Sequence, residues 1–175
     1  MIIPVVVVMG VSGSGKSTIG AALAADLSVD FLDGDDLHSD ANKAKMSAGI
    51  PLTDEDRLPW LRAVGKAIRA EAEAERGIVV ACSALKREYR DVLREGIDDL
   101  FFVYLAGSRE LLASRLSHRS DHFMPASLLD SQLATLEPLQ PDENGVVIDV
   151  DDNPVGTAQR AKAAVDANES PAQPR

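Results

Sequence analysis

Gly10-Val11-Ser12-Gly13-Ser14-Gly15-Lys16-Ser17, followed by Thr18, is the stretch on which the reading of this chain turns. It satisfies G-x-x-x-x-G-K-[ST], and its context fits the motif. A β-branched apolar run, Ile2–Met9, leads into it, and the helical spacing of Ile19, Leu23 and Leu27 over Ser17–Leu27 leads out. The glycines let the backbone wrap an anion with its N–H groups turned inward. The helix that follows adds its positive N-terminal end. Lys16 places a cation on the β- and γ-phosphates, and Ser17 offers a hydroxyl to Mg²⁺. Gly10 through Thr18 therefore predict a nucleoside triphosphate site at a strand-to-helix turn.

Outward from the loop, strands alternate with helices. Phe31–Leu32 reads as a second strand stopped by Asp33-Gly34-Asp35, and Asp36–Ala48 as one helix ended by Gly49-Ile50-Pro51. Thr53 is an N-cap for a helix running to about Glu75, with Leu58, Leu61, Val64 and Ile68 on one face. Ile78–Cys82, Leu100–Leu105 and Val146–Val150 are further buried strands. Lys86–Arg94, Arg109–Leu116, Ala126–Leu136 and Val155–Ala167 are further helices, and His118–Pro125 is polar and without period. The pattern predicts an α/β domain over residues 1–167, a five-stranded parallel sheet with helices on both faces, and a frayed polar tail over 168–175. Ligands of such sheets bind at the carboxyl ends of the strands. Gly10, Asp33 and Cys82-Ser83 all follow strands, so they should share one rim.

Composition narrows the function. The chain has 175 residues, 45% of them hydrophobic, which excludes intrinsic disorder. No apolar run approaches the roughly 18 residues of a membrane span, and Met1–Met9 lacks the basic flank and cleavage site of a signal peptide. The single Cys82 forbids an internal disulfide and fits a reducing cytoplasm. A formal charge of −10 argues against nucleic acid or an anionic membrane as partner.

No N-K-x-D guanine motif is present, and the strand Ile78–Cys82 does not end in the Asp that usually completes a triphosphate site. The second strand supplies carboxylates instead. Asp33 and Asp35 are two apart, so an extended backbone projects both to one side. Asp33, nearer the loop, is assigned to Mg²⁺ through water alongside Ser17. Asp35 is assigned to the proton of an attacking hydroxyl.

Three blocks of sequence resemble the small bacterial gluconokinases. The first runs from Gly34-Asp35-Asp36-Leu37-His38 through Asn42, Lys45-Met46 and Gly49-Ile50-Pro51-Leu52 to Asp54-Glu55-Asp56-Arg57-Leu58-Pro59-Trp60-Leu61. The second is Cys82-Ser83-Ala84-Leu85-Lys86-Arg87-Glu88-Tyr89-Arg90-Asp91-Val92-Leu93-Arg94. The third is His122-Phe123-Met124 with Leu128-Leu129, Ser131-Gln132 and Leu136-Glu137. Asp36 departs from some relatives, which have Phe there. The resemblance implies Mg·ATP-dependent phosphorylation of D-gluconate, a three-layer P-loop kinase fold like that of nucleoside-monophosphate kinases, and a homodimer. It also implies a small helical lid at about residues 115–126, with Arg115 against the adenine and Arg119 at the phosphates. A polyol carboxylate needs a cation and short polar groups. Asp35, His38, Arg57, Lys86 and Arg90 are the candidates, the last two four apart on one helix face. Trp60 reads as core or groove wall, Cys82 as inert. Asp151-Asp152-Asn153-Pro154 should edge the adenine pocket. The catalytic set is then Lys16, Asp35 and Arg119. Two rival readings remain open: a shikimate or nucleoside-monophosphate kinase, and an ATP-binding module without turnover.

Overall fold

The computed structural model describes residues 3–117, 127–150 and 153–169. Arg119, most of the expected lid segment, Asp151-Asp152 and the end of the expected tail lie outside the described residues.

The elements run β1 (Val5–Met9), α1 (Lys16–Leu27), β2 (Asp30–Asp33), a one-turn 3-10 helix (Gly34–Leu37), α2 (Asp40–Ser47), α3 (Asp54–Glu73), β3 (Ile78–Ala81) and α4 (Arg87–Arg94). They continue with β4 (Phe101–Ala106), α5 (Arg109–Ser117), α6 (Ser127–Thr135), β5 (Gly145–Asp149) and α7 (Pro154–Glu169). The strands form one parallel sheet in the order β2-β3-β1-β4-β5. β1 lies in the centre, between β3 and β4. The phosphate loop therefore leaves the sheet where its winding reverses, the crevice in which open α/β sheets bind ligands.

The run of valines explains why β1 takes that place. Successive side chains of a strand point to opposite faces. Val5, Val7 and Met9 pack with Trp60, Leu61, Val64 and Ile68 of α3 and Leu93 of α4. Val6 and Val8 pack with Ile19 and Leu23 of α1 and Ala161 and Val165 of α7. A strand apolar on both faces is stable only between two helical layers.

One expected element is divided. Asp36–Ala48 is not a single helix, because two side-chain caps compete for its backbone. Asp33 accepts from the N–H of Asp35 at 3.0 Å and starts the 3-10 turn. Ser39 accepts from the N–H of Asn42 at 3.1 Å and starts α2. The next helix begins where Thr53 predicts. Thr53 and Asp56 cap each other reciprocally at 3.1 and 2.9 Å. Gly34 is required by packing: a Cβ there would stand 2.6 Å from the carbonyl oxygen of Ala81.

Arg90 is not a substrate ligand. It is fully buried, and all five of its N–H donors are used inside the protein. Nε and Nη2 donate to the two oxygens of Glu143 at 2.7 and 2.9 Å. Nη1 donates to the carbonyls of Ala84 and Leu85 at 2.9 and 3.3 Å, and Nη2 also to that of Pro138 at 3.3 Å. Burial would raise the Glu143 carboxyl, but Arg90 and the N–H of Gln140 outweigh it and hold it below its ordinary value. The pair pins the turn after β3, where Ala84 takes a left-handed φ of 47°. Removing one partner strands a buried charge. Arg90→Met should lower unfolding free energy by about 3–5 kcal/mol, read from the denaturant midpoint. Arg90→Met with Glu143→Leu should regain part of that loss. A midpoint unmoved in the single variant would contradict the structural role.

Candidate active site

Two clefts open at the carboxyl rim of the sheet, one on each side of the phosphate loop. The first is walled by Ser12, Lys16 and Ser17 of the loop, by Asp35, His38, Arg57 and Trp60, and by Ser83, Ser131 and Gln132. The second is walled by Ser14, Thr18 and Ile19, by Ser114 and Arg115 of α5, and by Val150, Pro154 and Thr157. Gly13 and Gly15 line both. Their φ values of 85° and 93° belong to the left-handed region, where glycine carries no steric penalty. The loop is thus a thin backbone partition between two binding spaces. Arg115 donates from Nη1 to the Ser14 carbonyl at 3.4 Å, on the second side. Of the expected segment Asp151-Asp152-Asn153-Pro154, Pro154 lines this cleft.

The carboxylates after β2 occupy different places. Asp33 accepts from Ser17 Oγ at 2.7 Å with one oxygen and from the N–H of Asp35 at 3.0 Å with the other. Asp35 sits in the 3-10 turn rather than on extended backbone, and that turn carries it into the first cleft. Burial pushes the Asp35 carboxyl above its ordinary value; Lys16 and Lys43 oppose this, and Asp33 and Asp36 add to it. Lys16 Nζ donates to the Val11 carbonyl at 3.1 Å, across the mouth of the loop. Among the described residues no group of three or more His, Cys, Asp or Glu side chains forms a metal cage. Ser17 and Asp33 alone suit Mg²⁺, which keeps waters and phosphate oxygens in most of its octahedral shell.

The wall facing the loop is built on Trp60. Its Nε1 donates to the Gly34 carbonyl at 2.7 Å, and His38 stacks on it at 4.0 Å between centroids, tilted 17°. Arg57 donates from Nη1 to the Tyr89 hydroxyl at 2.9 Å. That hydroxyl in turn donates a short hydrogen bond to Asp54. Lys86 lines neither cleft; its Nζ donates to Asp54 at 3.2 Å. It supports Arg57 from behind through Asp54 and Tyr89. From α6, the Gln132 Oε1 accepts from the N–H of Ser12 in the phosphate loop at 2.7 Å. Cys82 is buried, and that burial pushes its thiol up to about 12, so no thiolate is available.

Comparison with known proteins agrees with this geometry. Residues 12–167 match the family model described as Shikimate kinase. The thermosensitive gluconokinase of Escherichia coli (strain K12) is 45% identical over 160 residues, spanning 91% of this chain and 86% of the relative. The gluconokinase of Gluconobacter oxydans (strain 621H) is 53% identical over 131 residues, spanning 75% of this chain and 74% of the relative. The chain belongs to the gluconokinase family. A crystal structure of a gluconokinase from Sinorhizobium meliloti 1021 superposes with a TM-score of 0.85 at 47% identity, covering 94% of this chain and 92% of that one.

Around the first cleft this member of the gluconokinase family brings together Lys16, Ser17, Asp35, His38 and Arg57, with Asp33 bonded to Ser17, all expected from sequence. It leaves out Lys86 and Arg90. Ser83, expected on the rim because it follows a strand, lines the first cleft, as does Gln132; Gln132 and Tyr89 carry no sequence signal beyond the family blocks. Burial pushes the His38 imidazole down to about 4, with the charges of Arg57 and Lys43 in the same direction and Asp35 facing its Nε2 at 3.9 Å. A lowered histidine value means that the unfolded chain takes up the proton first as pH falls. His38 therefore contributes stability fully present above pH 6.5 and lost as pH falls from 6.5 toward 4. The difference in unfolding free energy between the natural chain and His38→Gln should shrink by about 2–3 kcal/mol over that window. Parallel pH curves for the two proteins would contradict a neutral buried ring.

Proposed function

We propose that this kinase transfers the γ-phosphoryl group of ATP to D-gluconate, giving 6-phospho-D-gluconate. One observation carries the reading: a phosphate loop with a binding space on each side, of which one holds a carboxylate, an imidazole and a guanidinium. ATP would lie along the loop, with adenine in the cleft of Arg115, Pro154 and Thr157. Gluconate would lie in the cleft of Asp35, His38 and Arg57. Arg57 is the cation for its carboxylate, held in place by Tyr89. Ser17, and Asp33 through water, would hold Mg²⁺, which neutralises charge on the β- and γ-phosphates. Lys16 leaves the Val11 carbonyl for the migrating phosphoryl group. Asp35 accepts the proton of the attacking hydroxyl. This proton moves late, because the transition state is loose. A single kinase domain over 1–167, a lid at about 115–126 carrying Arg119 to the phosphates, a homodimer and a cytoplasmic location complete the proposal. Among the described residues no helix is long and apolar enough to cross a membrane.

The test offers gluconate, shikimate, AMP and glycerate separately with Mg·ATP and follows ADP release. Gluconate should be turned over fastest at equal concentration. Faster turnover of shikimate would favour the second reading that the matched family model suggests, and ADP release no faster than with water alone would leave an ATP-binding module.

The two carboxylates should separate by phenotype. Asp35→Asn should lower turnover by about 10²–10⁴-fold with ATP binding kept, the range of a positioned acid–base group. Asp33→Asn should raise the Mg²⁺ concentration needed for half activity. Swapped phenotypes would reverse the assignment.

A further inference from the structure

The acceptor-side wall contains a run of hydrogen bonds whose directions are all determined. The Asp56 carbonyl oxygen only accepts, and Asn42 Nδ2 lies 2.9 Å from it. The amide of Asn42 therefore points its NH₂ that way, since its oxygen there would face another oxygen. The same Nδ2 lies 3.3 Å from His38 Nδ1. An NH₂ only donates, so Nδ1 is the unprotonated nitrogen, and the proton of the neutral ring sits on Nε2. A cationic ring would set an N–H of its own against that NH₂. His38 is 7% exposed and Asn42 is 5% exposed, and the stack on Trp60 stops the ring from turning over. Nε2 has no hydrogen-bond partner among the described residues; it faces the cleft, 3.9 Å from Asp35 Oδ1.

We infer that Asn42 is a positioning residue that locks His38 as the Nε2–H tautomer, and that His38 and Asp35 together grip the one hydroxyl to be phosphorylated. The inference rests on reading this cleft as the acceptor site. A gap of 3.9 Å is beyond a direct hydrogen bond. An oxygen set about 2.8 Å from each atom fits between them. Such a hydroxyl points its proton at Asp35 and takes the His38 N–H on one lone pair. One lone pair is left to attack phosphorus. During transfer the oxygen–phosphorus bond forms, the bond from phosphorus to the bridging oxygen of the leaving ADP breaks, and the hydroxyl proton passes to Asp35. His38 keeps its own proton throughout. The pair also selects by chemical class. A carbonyl would bring no proton to Asp35, and an ammonium would bring no lone pair to His38.

The primary test is nitrogen NMR of the full chain labelled with ¹⁵N at histidine. At neutral pH the His38 ring should show Nδ1 bare and Nε2 protonated, and Asn42→Asp, which sets an acceptor against Nδ1, should move the proton there. A ring protonated at Nδ1 in the natural chain overturns the inference. The kinetic arm compares two amides. The Gln side chain places its NH₂ near the Nε2 position, whereas that of Asn does not reach it. His38→Gln should keep about tenfold more kcat/KM for gluconate than His38→Asn, the scale of one hydrogen bond to a reacting group, with KM for ATP alike in both. Equal losses in the two variants overturn the role of the donor. Natural enzyme inactive on gluconate would sink the acceptor reading instead, and the nitrogen spectra would still decide the tautomer.

Discussion

A single carboxylate joins the two halves of the site. Asp33 ends β2 with one oxygen on the hydroxyl of Ser17 and the other on the backbone N–H of Asp35. The first contact ties the strand to the phosphate loop. The second bends the chain into the turn that delivers Asp35 and then His38 to the first cleft. Both halves are thus held by the two oxygens of one side chain. The parallel sheet supplies the rest of the precision. β2 and the strand leading into the loop are both registered on β3, so the carboxylate and the loop end at the same level.

Support for the site reaches it from outside the cleft. Arg57 is oriented by Tyr89, Tyr89 by Asp54, and Asp54 by Lys86. The Tyr89 hydroxyl bond and the Lys86 ammonium both lower the Asp54 carboxyl, which keeps it a charged acceptor. Arg90 works from the other side of the same helix. Its hold on the Ala84 and Leu85 carbonyls fixes the turn that presents Ser83 and Leu85 to the first cleft. α4 thus stabilises the cleft with its side chains while standing outside it.

The sequence makes the strands and the loop legible for a physical reason. A buried parallel strand must be apolar on both faces, and a phosphate-wrapping turn needs glycines at fixed offsets, so both leave local marks. The carboxylates were legible because they directly follow a strand on the ligand-binding rim. Lys86 and Arg90 show where local reasoning ends. Their spacing suggests one side of a helix, but Lys86 is the extended residue before α4 and turns to Asp54, whereas Arg90 turns to Glu143, 53 residues away. Gln132 reaches Ser12 across 120 residues and leaves no periodic trace. The division of Asp36–Ala48 escaped because Asp33 and Ser39 compete as caps with the helix that the intervening residues would otherwise form.

In the proposed transfer, the partition at Gly13 and Gly15 bears on the stereochemistry at phosphorus. With ATP in one cleft and gluconate in the other, as proposed, nucleophile and leaving group would stand on opposite sides of the phosphorus. The only thiol near the rim, Cys82, lies sealed beneath it. Attack from one side with departure on the other is a single in-line displacement, and its three equatorial oxygens pass through the plane like the ribs of an umbrella. A γ-phosphorus made chiral with oxygen isotopes would therefore leave this enzyme as its mirror configuration.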